Sequence, residues 1–304
     1  MTAPAGALDG AGLLPGFTPS VVDVPGASIA TWVAGSGPPV LALHGYPQTH
    51  VMWHRVAPEL VRHHTVVLAD LRGYGDSTGP PADPDGLGYS KRAMAADQAA
   101  VMTHLGFDRF AVVGHDRGAR VGHRLARDHP DRVTRLAVLD IVPTVHAYAH
   151  VDRDFAENYY HCFFLSQRTG VPEALLAAAP EEWVRLRMQS RHAGPVPFDE
   201  RALQEYVRCF GSPAVVAASC ADYRAAAGID LVHDAQDPSP LRCPVLALWG
   251  ERGFVGRAYD VAAVWRAAAA DVAGEGLPCG HYVAEEAPEQ TLSALLPFLA
   301  GRRR

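Results

Sequence analysis

The chain has 304 residues, enough to bury a large core as one domain or as a core with an insertion. Hydrophobic residues make up 48% and charged ones 20%, which excludes a disordered chain, and a net charge of -6 gives no reason to expect nucleic acid or an anionic membrane as partner. Five cysteines without a Cys-x-x-Cys pair (Cys162, Cys209, Cys220, Cys243, Cys279) suggest neither a zinc site nor a disulfide framework, so reduced thiols and a cytoplasmic home are the plain expectation.

Residues 1–20 are rich in Gly, Ala and Pro and read as loose; residues 1–16 lack the basic start and apolar run of a signal peptide. No stretch approaches the apolar length needed to span a bilayer. Two short strands, 21–24 and 28–33, flank Pro25-Gly26 as a hairpin. Residues 39–43 form a continuous apolar strand ending in His44-Gly45-Tyr46-Pro47, and a helix is expected near 53–60. A second buried strand, 65–70, leads into Asp70-Leu71-Arg72-Gly73-Tyr74-Gly75-Asp76-Ser77. Helical spacing covers 90–105, a strand covers 110–114, a helix 118–129 and another strand 133–140. The alternation then stops, and the text up to about residue 234 is helical and aromatic. It resumes with a strand at 245–250, a helix near 261–270, a short strand near Val272 and a last helix over 289–299; the tail Arg302-Arg303-Arg304 reads as a solvated end. Strands alternating with helices predict a mostly parallel, doubly wound sheet of the α/β class, with ligand sites beyond the carboxyl ends of the strands. The domain reading is a core made of residues 1–143 and 236–304, with a helical cap inserted over 144–235.

One stretch carries the chemistry. In Gly114-His115-Asp116-Arg117-Gly118 an apolar strand meets a helix across a turn flanked by glycines, the layout of a nucleophile elbow with Asp116 at its tip. A serine or cysteine there would point to acyl transfer. A carboxylate attacking a saturated carbon that bears a leaving group instead makes an ordinary ester, which water can cleave. The bland alternative for Asp116 is an N-cap of the following helix. His281, in the loop before the closing helix, is the expected general base, and the order nucleophile, acid, histidine is that of an α/β-hydrolase. Asp140, at the end of the strand after the elbow, is the expected orienting acid, with Glu251 and Asp260 as alternatives. No His/Cys cluster has metal-ligand spacing, so neither metal nor organic cofactor is expected.

His44-Gly45-Tyr46-Pro47-Gln48-Thr49, Asp70 to Ser77, Gly114-His115-Asp116-Arg117-Gly118-Ala119-Arg120 and Leu139-Asp140-Ile141-Val142-Pro143-Thr144 together resemble the fluoroacetate (haloacetate) dehalogenases of the α/β-hydrolase superfamily, over nearly the whole chain. The resemblance implies that Asp116 displaces halide, that Asp140 and His281 complete a triad, and that Arg117 and Arg120 grip the carboxylate of a small haloacid. A small acid offers little apolar area, so its aim must come from charge-assisted bonds, for which guanidinium is suited. It further implies an oxyanion hole from the backbone N–H groups of Tyr46 and Arg117, halide donors in His161 and Tyr223, and compatibility with a homodimer. One position departs from the pattern. The tryptophan usual after the halide-binding histidine is Cys162, a weaker donor than an indole, so chloroacetate or bromoacetate is expected to be turned over at least as well as fluoroacetate. Two other functions stay open: an epoxide hydrolase using His161 and Tyr223 as ring-opening acids, and a non-catalytic binding protein of the same fold. Arg117 and Arg120 fit a carboxylate better than a neutral epoxide.

Overall fold

A computed structural model describes residues 12–302. Eight strands form one sheet: β1 (Thr18–Val24), β2 (Ala27–Ala34), β3 (Pro39–Leu43), β4 (Thr65–Ala69), β5 (Phe110–His115), β6 (Val133–Leu139), β7 (Val245–Gly250) and β8 (Val272–Leu277), in the order β1-β2-β4-β3-β5-β6-β7-β8. β1 and β2 pair antiparallel as the expected hairpin and β2 pairs antiparallel with β4, while every other pairing is parallel. The mostly parallel, doubly wound α/β sheet is therefore as expected. Its middle strands are covered on both faces, which is why their sequences are unbroken apolar runs rather than alternating ones: all six residues of β5 are buried. Leu41, fully buried on β3, is a position where truncation to alanine would cost roughly 2–5 kcal/mol.

Topology places the site. β3 has β4 on one side and β5 on the other, so the chain leaves β3 in one direction and returns in the opposite one, opening a crevice at the carboxyl ends of these strands. Between β6 and β7 run eight helices, from Thr144–Ala149 to Ile229–Gln236, with no strand among them.

Some local expectations change. Leu13 and Leu14 are buried and β1 starts at Thr18, so the loose opening stretch does not reach residue 20; its residues 1–11, and Arg303 and Arg304 of the tail, lie outside the described residues. The helix expected near 53–60 is split into a 3-10 turn, His50–Trp53, and one short helix, Ala57–Leu60. The helix Lys91–His104 begins after Ser90, whose hydroxyl accepts from the Ala93 N–H at 3.2 Å, a side-chain cap.

Candidate active site

The turn after β5 is sharper than the sequence spacing implied. The helix Asp116–Asp128 begins at Asp116 itself, not at Gly118, and Asp116 has a φ of 45°, in the left-handed region. Such a turn brings the helix hard against its own strand and the next. A Cβ on Gly114 would lie 2.6 Å from the Ala119 Cα, and one on Gly118 would lie 2.4 Å from the His44 carbonyl oxygen, so only glycine fits at either place. The Gly118 N–H donates to that His44 oxygen at 2.9 Å, holding the loop that carries Tyr46 beside the helix's first turn. First-turn N–H groups have no partner within their own helix, which is what an oxyanion hole needs from Arg117.

Asp116 does not cap its helix: the N-cap residue is His115, and no side-chain capping bond is made. Its Oδ2 instead lies 3.5 Å from His281 Nε2. Burial pushes the Asp116 carboxyl up, but His281 and then Arg191 more than offset this and hold it well below the usual carboxylate range. Ionised at neutral pH, it has no proton to donate.

His281 is fixed from two directions. Its Nδ1–H donates to Asp140 Oδ2 at 2.6 Å, and its carbonyl oxygen accepts from His115 Nε2 at 2.9 Å. Burial, then the neighbouring His281, pushes the His115 imidazole down to about 3, so it is a neutral donor. With Nδ1 committed to a carboxylate, Nε2 is the ring nitrogen left to face Asp116. Asp140 is held as tightly: its Oδ1 accepts from the Gly250 N–H at 2.9 Å. Asp140 and Asp116 are the two non-glycine residues with positive φ among the described residues, and both carboxylates meet the same imidazole. Of the alternatives, Asp260 caps the helix Val261–Ala268 through a bond from the Ala263 N–H, and Glu251 is exposed; neither touches His281.

Arg117 and Arg120 line one small cavity of about 20 Å³ together with Cys162, Tyr148 and Tyr159. That is room for about one water-sized group beside the two guanidiniums. Neither guanidinium is idle. Arg120 Nη1 donates to Thr144 Oγ1 (2.9 Å) and the Val142 carbonyl (3.1 Å). Arg117 gives Nε and Nη2 to Asp222, at 2.8 and 2.5 Å, and lies over the Tyr223 ring 4.3 Å from its centroid. Sequence reasoning missed Asp222. Its buried carboxylate also accepts from Tyr74 (2.7 Å) and from Lys91 Nζ. Burial opposes its ionisation, yet Arg117 and Lys91 hold it down to about 2. The one available hint was an acid next to Tyr223 in a largely apolar helix.

His161 and Tyr223 come together as expected, with ring centroids 5.6 Å apart and both side chains buried. Burial, then Arg187 and Arg191, keeps the His161 imidazole well below its ordinary pKa and therefore neutral. Burial keeps the Tyr223 phenol protonated. Cys162 Sγ is 3.8 Å from His161 Nε2, and burial raises its thiol, so this too is a neutral group. Arg187 and Arg191 were not anticipated. Arg187 Nη2 lies 2.9 Å from each His161 ring nitrogen, and Arg191 donates to the Tyr159 hydroxyl at 2.9 Å.

A family model for the alpha/beta hydrolase fold matches residues 38–288. A fluoroacetate dehalogenase from Burkholderia sp is 43% identical over 290 residues, 95% of either chain. The chain belongs to the fluoroacetate (haloacetate) dehalogenase family of the α/β-hydrolase superfamily. Epoxide hydrolases are near this dehalogenase family as well: a soluble epoxide hydrolase from Corynebacterium sp. (strain C12) is 34% identical over 89% of this chain and 93% of its own. Among solved structures, a protein from Nostoc sp PCC 7120 assigned to the α/β hydrolases shares 55% of residues over 93% of this chain and 98% of its own, with a TM-score of 0.91. Among the described residues no helix is long and apolar enough to cross a membrane.

Proposed function

We propose that the chain hydrolyses small 2-haloacids, turning haloacetate into glycolate and halide through an ester on Asp116. The observation that carries this reading is an ionised carboxylate on a strained turn, 3.5 Å from a histidine anchored on a second carboxylate, with two arginines of its own helix lining a small cavity. Arg117 and Arg120 hold the substrate carboxylate. One Asp116 oxygen attacks the α-carbon; the carbon–halogen pair leaves as halide, towards the His161 and Tyr223 donors. Water then gives a proton to His281 Nε2 and adds to the ester carbonyl, with the Tyr46 and Arg117 N–H groups taking the oxyanion. Collapse expels the glycolate alkoxide, which takes the proton back from His281; Asp116 keeps one oxygen from water and releases that water's second proton to solvent, restoring the carboxylate. Asp140 orients the imidazole throughout. The segment 144–235 serves as the cap that closes over this chemistry, no metal or organic cofactor takes part, and five free thiols suit a cytoplasmic setting.

An epoxide hydrolase is the second reading, favoured by the His161–Tyr223 pair and by the Corynebacterium relative. A halide-release panel over fluoro-, chloro- and bromoacetate, with styrene oxide hydrolysis alongside, separates the two. Diol from styrene oxide with no halide from any acid would overturn the dehalogenase reading.

A further inference from the structure

A second opening, of about 290 Å³, reaches His281 from the cap side and is lined by Arg187, Arg191, Arg252 and Arg257. The inner two lie four residues apart near the end of the helix Pro180–Arg191, and the outer two follow β7 and are exposed. Several arginines elsewhere pair with acids, Arg72 with Asp97, Arg117 with Asp222 and Arg224 with Glu173, while others such as Arg120 and Arg132 are bound to carbonyls. Among the described residues none of the four around this opening is ion-paired, and their donors go to neutral acceptors: the His161 ring, the Tyr159 hydroxyl, the Ala193 carbonyl (3.0 Å) and the Asn158 amide oxygen (3.5 Å). Arg187 Nε is buried with no partner. The carboxylate on the wall, Glu157, is already paired with Arg153 at 2.6 Å.

A chain of net charge -6 thus gathers four guanidiniums around one passage to its imidazole, none in a direct ion pair among the described residues, with Arg191 near the carboxylates of Asp116 and Asp140. A buried cation such as Arg187 with no ion-pair partner is costly, so this arrangement calls for an anion that comes and goes. A cleft of one sign also concentrates counter-ions and speeds their arrival. We propose that the vestibule of Arg187, Arg191, Arg252 and Arg257 is a small-anion subsite, passing the substrate carboxylate inward or the halide outward. The proposal rests on the haloacid reading above. The His281 N–H donates to the Arg191 carbonyl at 3.1 Å, so the vestibule wall and the catalytic loop are one piece.

The test uses Arg252→Gln/Arg257→Gln, which alters the exposed rim and spares the catalytic groups. At low ionic strength the double variant should lose about 3- to 10-fold in kcat/KM for chloroacetate, while neutral chloroacetamide changes by less than about 2-fold. The difference should vanish near 1 M salt, where screening acts within about 3 Å. A loss confined to kcat/KM marks carboxylate uptake; a fall in kcat with weaker inhibition by bromide marks halide exit. Chloroacetate turnover with unchanged rate constants and unchanged salt dependence overturns the subsite. Calorimetric titration with acetate needs no turnover. Acetate binding several-fold weaker in the variant supports the vestibule even if no halide is ever released, which would sink only the proposed reaction, whereas equal affinities overturn the vestibule itself.

Discussion

Replacing Asp222 by asparagine should damage both stability and substrate binding, and the size of each effect follows from its partners. The side chain is fully buried and accepts from Arg117 Nε at 2.8 Å, Arg117 Nη2 at 2.5 Å, the Tyr74 hydroxyl at 2.7 Å and Lys91 Nζ. Asparagine keeps the shape but removes the carboxylate the two buried cations share, leaving Arg117 without an acid and Lys91 with only Asp230, 3.9 Å away. Breaking a buried pair from one side costs about 3–5 kcal/mol, because the abandoned charge stays out of water. At roughly 2–4 °C per kcal/mol, Asp222→Asn should melt at least about 6 °C below the parent. Removing one of the stranded cations should restore part of that loss, so Lys91→Met should cost less in the Asp222→Asn background than alone. Arg117 loses its anchor as well, and KM for chloroacetate should rise about 10-fold, equivalent to about 1.4 kcal/mol. Thermal unfolding of the four proteins, with kinetics of the folded ones, measures all of this. A variant within about 1 kcal/mol of the parent, or a Lys91→Met penalty as large in the Asp222→Asn background as in the parent, would refute the argument. The acid side has a definite sign too. The Asp222 carboxyl is depressed to about 2 in the folded chain, so its stabilisation is complete above the ordinary carboxylate pKa and drains away as pH falls towards 2.

His281→Asn should trap the ester, because the imidazole is needed for its hydrolysis and not for its formation; intact mass after substrate addition should show a stable adduct, and substrate loss without one would count against the base. Single turnover in heavy-oxygen water should place label in the Asp116 side chain, whereas label appearing in glycolate alone would mean direct attack by water. With Cys162 beside His161 in place of an indole, chloride should be released from chloroacetate at least as fast as fluoride from fluoroacetate, and the reverse order would refute the role given to this position. Glu285 is fully buried; burial pushes its carboxyl up to about 8, even though Gln48 Nε2 (2.5 Å) and the Tyr206 hydroxyl (3.1 Å) donate to it. The folded chain therefore holds this proton more tightly than the unfolded one, and the stabilisation, full below about pH 4.5, is lost as pH rises through about 8. Glu285→Gln should remove that slope from denaturant midpoints measured between about pH 5 and pH 9, and an unchanged slope would show that the group does not titrate there.

Local pattern carried the core further than it carried the site. β3, β4 and β5 were readable because strands buried on both faces leave unbroken apolar runs, and the corner at Asp116 because close approach at Gly114 and Gly118 tolerates no side chain. Asp140 and His281 were findable because each stands at a strand end or loop in a known order. The pairing Asp222–Arg117 spans 105 residues and Lys91–Asp222 spans 131, and nothing in the spacing of either residue marks its partner. Such pairs are set by how helices between β6 and β7 lie across the sheet, and that placement depends on tertiary packing, not on periodicity. The same holds for Arg187 and Arg191, which read as two charges on an ordinary helix until the fold sets one against His161 and the other near Asp116.

Charge around Asp116 is graded by how it is compensated. Arg117, on one side, is bound to a carboxylate that fixes its direction, so what it offers a ligand is aim. On the other side Arg187 and Arg191 have no such partner, so what they offer is field. That field has a consequence for the histidine between them. Burial first, and that field after it, keep His161 neutral, which leaves the ring able to donate one hydrogen bond to an anion but poorly suited to protonate a leaving alkoxide. A halide needs only the first; an epoxide oxygen needs the second. A neutral His161 therefore suits a halide better than an epoxide oxygen at this one position, while the protonated Tyr223 phenol suits either. The distinguishing measurement is Arg187→Met: if the cation's field acts directly on the departing halide, halide release should slow while any styrene oxide hydrolysis does not, and parallel losses in both would reduce Arg187 to a packing role.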